Sequence, residues 1–125
     1  AMSIVVDVTK LAETLRDFGS GYLLTVSPEG RVKVITVDPV VDGATLRVSG
    51  PSRGSAANLA TNPVVTVVFP PREPRGYSLI VDGTAAPDGD DFAVSAQAAV
   101  LHRPASHADG PPPPDGCGHD CVPVT

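Results

Sequence analysis

The run Val64-Val65-Thr66-Val67-Val68-Phe69 is apolar at nearly every position, and it limits the folds open to this chain more than any other feature. β-Branched residues favour extended backbone, where successive side chains point to opposite faces. A strand apolar on both faces must be covered on both, inside a small barrel or at a subunit interface. Other segments predict further strands. Tyr22 to Val26 and Val32 to Val37 are joined by Ser27-Pro28-Glu29-Gly30, with Pro and Gly where a type I turn places them. Val37 to Val41 and Thr45 to Ser49 flank Asp42-Gly43, a short hairpin turn signal. Tyr77 to Ala86 alternates, with Tyr77, Leu79 and Val81 facing one way and Ser78, Asp82 and Thr84 the other.

Helical spacing appears elsewhere. Val8, Leu11, Ala12, Leu15 and Phe18 predict a helix from Asp7, its N-cap, to Phe18, closed by Gly19 as a left-handed cap. A shorter helix is expected over Arg53 to Thr61, capped by Ser52 and stopped by Asn62-Pro63, because proline disfavours helix in the residue before it. A third is expected over Phe92 to Leu101, which is alanine-rich and follows the acidic start Pro87-Asp88-Gly89-Asp90-Asp91. The expected order is helix, three strands, short helix, two strands, helix and tail. From His102 onward Pro, Gly, Asp, His and Cys dominate. The expected organisation is a barrel domain over residues 1–101 and an extended tail over 102–125.

Composition removes several classes of function. The 125 residues suit one domain, burying about two thirds of the surface of the unfolded chain. With no Trp and three Phe, the core must be aliphatic. A net charge of −5 disfavours sequence-independent nucleic-acid binding. No apolar run approaches a bilayer span, and Met2 leads into a polar, helix-like pattern instead of a signal peptide. With two cysteines, both near the end, the expected location is cytoplasmic. Arg outnumbers Lys, and Ala, Gly, Pro, Val and Asp dominate, as in a GC-rich genome. No Ser–His–Asp order, paired-carboxylate motif or phosphate-binding P-loop stands out, and no catalytic side chain is assigned.

The stretch from Ser49-Gly50-Pro51-Ser52-Arg53 through Asn58-Leu59-Ala60-Thr61-Asn62-Pro63-Val64 resembles the pyridoxamine 5′-phosphate oxidase-like family of split β-barrels. There a strand ends in a Ser/Thr-rich turn, then a short helix bears Asn-Leu and an Asn-Pro stop. The likeness covers roughly residues 7–101. It implies a mainly β fold with short helices, an FMN-binding split-barrel-like homodimer, whose paired clefts hold FMN or the deazaflavin coenzyme F420. Small actinobacterial members often use the deazaflavin, and the composition fits such a source. The implied function is an F420-dependent reductase passing hydride to a small planar acceptor. The alternatives are an FMN-dependent oxidoreductase, a non-catalytic carrier or sensor of F420 or flavin, and an interaction domain without cofactor.

The residues themselves supply a narrower argument. Ser52, Arg53, Gly54 and Ser55 open a helix, so free N–H groups, two hydroxyls and a guanidinium converge as phosphate binding requires. The alternative is an ordinary N-cap with a solvated Arg53. Related proteins frequently carry Lys four residues before the position of Leu59, where this chain has Ser55. Either Arg53 reaches the phosphate instead, or the cofactor binds more weakly. Ser49 belongs to the same turn. Lys33 and Thr36 lie on the strand that in the family lines the ring end of the cleft. Lys33 is either a cation beside the electron-rich pyrimidine end or a solvated strand residue. Asn58 turns its amide to the cofactor or sits on the helix surface. Tyr77 reaches the partner's cleft or packs in its own sheet, and Arg103 completes the partner's cleft or faces a helix end. Cys117-Gly118-His119-Asp120-Cys121 groups three possible ligands, with His102 or His107 as a fourth for zinc. The alternatives are a Cys117–Cys121 disulfide and two free thiols, and no metal is expected.

Overall fold

The computed structural model describes residues 2–107. Over them the chain forms eight strands: β1 (Met2–Val6), β2 (Gly21–Val26), β3 (Val32–Val37), β4 (Val40–Asp42), β5 (Thr45–Val48), β6 (Val64–Phe69), β7 (Ser78–Asp88) and β8 (Asp91–Arg103). Two α-helices, α1 (Leu11–Leu15) and α2 (Arg53–Thr61), and single 3₁₀ turns at Val8–Lys10 and Ala105–His107 complete it. All strand pairs are antiparallel, in the order β3-β2-β6-β7-β8-β5-β4, with β1 on the C-terminal half of β8.

The order explains the curvature. Its ends, β3 and β4, are consecutive in sequence and joined through Asp38 and Pro39 alone. That link spans at most about 11 Å, so the sheet curls until its edges approach each other: a split half-barrel. Inside lie Leu23, Val65, Val67, Phe69, Leu79, Val81 and Val94, all essentially buried, and Leu11 and Leu59 from the two helices close the ends. The outer face stays apolar. Val5 is 85% exposed, Val64 60%, Val32 55%, Val34 53% and Tyr22 42%. β6 therefore covers one of its apolar faces and leaves the other open.

Both expected hairpins form. Ser27 N–H donates to Arg31 O at 2.9 Å and Gly43 takes φ +60. However, β3 and β4 do not pair with each other, and the strands number eight among the described residues, not five or six. The helix expected from Asp7 to Phe18 is a 3₁₀ turn followed by the five-residue α1. Asp7 caps it as expected, accepting from Thr9 N–H at 2.9 Å, but Gly19 is not left-handed. β1 replaces the polar helical pattern after Met2: the β-branched run Ile4-Val5-Val6 extends along β8, opposite Leu101, Val100 and Ala99.

The largest correction is β8. Phe92 to Leu101 is strand, and Pro87–Asp91 is the hairpin that leads into it, with Gly89 at φ +61. Asp82 pairs with Ala98 and Gly83 with Ala96, which leaves Gln97 as a bulge. The bulge shifts the alternation. Val94 and Ala96 point inward before it and Ala99 and Leu101 after it, so the inward positions are spaced by two, three and two and imitate helical periodicity. A Cβ on Gly83 would lie 2.2 Å from Ser95 O, so only glycine fits beside the bulge.

Candidate functional site

The hairpin β2–β3 and the start of α2 meet at one corner. Arg31 and Lys33, two apart on an extended chain, share a side, and Lys33 pairs with the fully buried Thr25. The Lys33 side chain runs across Gly54: a Cβ there would lie 2.8 Å from Cε and 3.1 Å from Nζ. Glycine at this position lets the lysine reach the first turn of α2. Ser27, Arg31, Val32, Lys33, Gly54 and Asn58 line a shallow cavity of about 330 Å³.

Ser52 caps α2. Its hydroxyl accepts from Ser55 N–H at 3.2 Å and donates to Ser55 Oγ at 3.1 Å, and Ser55 is fully buried. The Asn58 amide donates to Thr25 Oγ1 at 3.0 Å, again away from solvent, and fastens the helix to β2. Gly54 and Arg53 are exposed, and their N–H groups bond no acceptor among the described residues. Among those residues no carboxylate stands within ion-pair distance of Arg31, Lys33 or Arg53. The corner thus offers two main-chain donors and three cations in a chain of net charge −5. That donor set suits a phosphate group.

The structure brings Lys33, Ser52, Arg53, Gly54, Ser55 and Asn58 together, with Ser55 and Asn58 turned inward. Ser49 is exposed in the turn that precedes them. Thr36 lies on the opposite face of β3 from Lys33, exposed and paired with Tyr22. Tyr77 and Arg103 are in another place, where the Arg103 guanidinium stacks 4.4 Å from the centre of the Tyr77 ring. Tyr77 lines a second cavity, of about 450 Å³, together with Phe18, Arg16, Arg72 and Leu101. Sequence reasoning missed Arg31, although its two-residue spacing from Lys33 was the available signal. It also missed Arg16 and Arg72, which no sequence spacing connects. The Cys117–Cys121 motif lies outside the described residues.

The chain is 40% identical over 133 aligned residues to uncharacterized proteins of Mycobacterium bovis and Mycobacterium tuberculosis. Each alignment covers 94% of this chain and 93% of the relative. The chain belongs to their family. No protein-family model matches it. Among solved structures it is similar to a single-residue variant of HupZ from Group A Streptococcus, with TM-score 0.63 and 15% identity over 77% of this chain and 100% of that one. An F420 reductase gives 0.57 and 22% over 70% and 94%. The FAD-binding protein of Mycobacterium smegmatis gives 0.55 and 17% over 82% and 100%. At these identities the likeness is one of fold, and the fold is a split β-barrel. Among the described residues no helix is long and apolar enough to cross a membrane.

Proposed function

We propose that this protein binds coenzyme F420 at the start of α2 and acts as a deazaflavin-dependent reductase on a small planar acceptor. One observation carries the reading: Arg31 and Lys33 line a cavity beside Gly54, Arg53 opens the same helix, and no carboxylate stands within ion-pair distance of the three among the described residues. The resemblance to the split-barrel family and the F420 reductase neighbour support the choice of cofactor. When bound, F420 would supply the hydride chemistry. The chain's own part is to hold it. Arg53 and the N–H groups of Arg53 and Gly54 bind the phosphate, while Ser52 and Ser49 shape the turn that presents them. Lys33, lying across Gly54, adds a positive charge beside that phosphate. Asn58 acts from beneath, fastening α2 to Thr25 of β2, while Ser55 bonds the Ser52 cap. The exposed apolar outer face, with Val5, Val34 and Val64, is where a second copy sits, and Thr36, Tyr77 and Arg103 would then serve the cleft between the copies.

A second reading, a non-catalytic carrier of F420 or flavin, is favoured by Ser55, a buried serine bonded to the Ser52 cap in the position where related proteins carry a lysine. Fluorescence titration of the purified protein with F420 and with FMN tests the binding. Micromolar F420 affinity, weakened in Arg53→Ala by about 1.5–3 kcal/mol, is the expected result. An unchanged dissociation constant removes Arg53 from the site, and preferential FMN retention replaces the deazaflavin. Hydride-transfer assays on the loaded protein then separate reductase from carrier.

A further inference from the structure

We propose that the cavity between the end of α1 and the β6–β7 loop is a binding site for a free aromatic α-amino acid, a zwitterion that carries a planar ring. Its volume is about 450 Å³, within the range of small-molecule sites, roughly 300–1,000 Å³. The site takes no residue of the α2 start and stands whether or not F420 binds there.

The walls are apolar, and two of them are aromatic. Phe18, Pro71, Tyr77 and Leu101 line the cavity, each half-buried. The Phe18 ring stands edge-on to Phe69, with centroids 6.5 Å apart and planes at 62°. The Tyr77 ring carries the Arg103 guanidinium 4.4 Å from its centre. Both rings are thus held by neighbours before a guest arrives, which lowers the ordering cost of receiving a flat ring.

Each side of the mouth brings one cation and one anion. Arg16 and Asp17 follow α1, Arg72 and Glu73 stand on the loop, and all four are exposed. The Arg72 guanidinium reaches back towards α1: a Cβ on Gly19 would lie 3.9 Å from its Nε and Nη2. Among the described residues none of the four is within ion-pair distance of an opposite charge. The main chain here is already engaged, since the N–H groups of Asp17, Phe18 and Gly76 bond the carbonyls of Thr14, Leu15 and Glu73 at 3.3, 3.0 and 3.1 Å. Recognition therefore falls to side chains. A simple anion would meet two carboxylates beside the arginines, and a simple cation two arginines beside the carboxylates. A guest bearing both signs and a ring uses every group: its carboxylate meets a guanidinium, its ammonium meets Asp17 or Glu73, and its ring lies against Phe18 and Tyr77.

The chain has no tryptophan, so added L-tryptophan serves as its own fluorescent probe. Its anisotropy, titrated with the full chain, should rise to saturation in the millimolar range or below. L-Phenylalanine should compete and L-alanine should not. Tryptophanamide, which lacks the anion, and N-acetyltryptophan, which lacks the cation, should each bind about fivefold or more weakly. In Asp17→Asn with Glu73→Gln, both exposed positions, N-acetyltryptophan should bind at least as well as tryptophan. In Arg16→Gln with Arg72→Gln the amide should take that place. This exchange of preference is a readout that loss of folding would not give. Arg53→Ala, which tests the cofactor reading, should leave tryptophan binding unchanged. Four results overturn the proposal: anisotropy that never saturates, equal affinity for tryptophan and its two derivatives, variants that keep the parent's order of preference, or loss of binding in Arg53→Ala, which would move the guest to α2.

Discussion

Two corners of this molecule gather cations, and they treat them in opposite ways. At the α2 start, Arg31, Lys33 and Arg53 have no carboxylate beside them among the described residues, and the supporting polar groups bond one another underneath. At the β6–β7 loop, Arg103 lies on an aromatic ring, Arg75 bonds a carbonyl, and Arg16 and Arg72 share their cavity with Asp17 and Glu73. The first corner leaves positive charge and main-chain donors available to an outside anion. The second commits Arg75 and Arg103 to the protein's own chain. A cluster of basic residues can thus mark a ligand site or a structural clasp, and what surrounds the charge decides which.

The largest effect separating the corners should come from Asn58→Ala. It strands the buried Thr25 hydroxyl and loosens α2, at a cost of about 2–3 kcal/mol in urea unfolding. If Thr25→Val in the same chain recovers none of that loss, the Asn58–Thr25 bond is not what fixes the first corner. Lys33→Met keeps an apolar stem across Gly54 and removes only the charge. Stability should hold while affinity for a phosphate-bearing cofactor falls by about 1 kcal/mol, read by titration. A fall in melting temperature with unchanged affinity would make Lys33 part of a clasp. Arg103→Ala should cost about 0.5–1 kcal/mol of stability, a loss that Lys33→Met does not show.

Acid provides the mildest probe. The bonds from the Thr9 side chain and N–H hold the Asp7 carboxyl below its ordinary value of 3.8. A carboxylate so lowered stabilises the fold above that value and loses the contribution as pH falls through its native one. Hydrogen exchange at the Val8–Lys10 turn should therefore quicken in strong acid, and Asp7→Asn should flatten that dependence.

Much of the fold could be read from local chemistry. Gly30, Gly43, Ser52 and Asn62-Pro63 each fix their turn or cap by near-neighbour geometry, so both early hairpins and α2 were legible. β8 was not, because Gln97 adds one residue to the strand and alanine has high helix propensity, and packing against β7 outweighed that propensity. β1 was obscured because its extension depends on a partner about a hundred residues away. Within the candidate site, Ser52, Arg53, Gly54 and Lys33 were legible as donors. The inward turn of Ser55 and Asn58 was not, since it depends on Thr25 and on how α2 seats over β2.

The short Asp38-Pro39 connection has a mechanical consequence. Since it ties together the first and last members of the sheet, the barrel cannot be unrolled from that seam while the backbone is whole. Any breathing that admits a guest must come from elsewhere, through tilting of α2 on its Asn58 tether or movement of the loop between β6 and β7. The entrance is set by the parts resting on the rim, and the staves stay still.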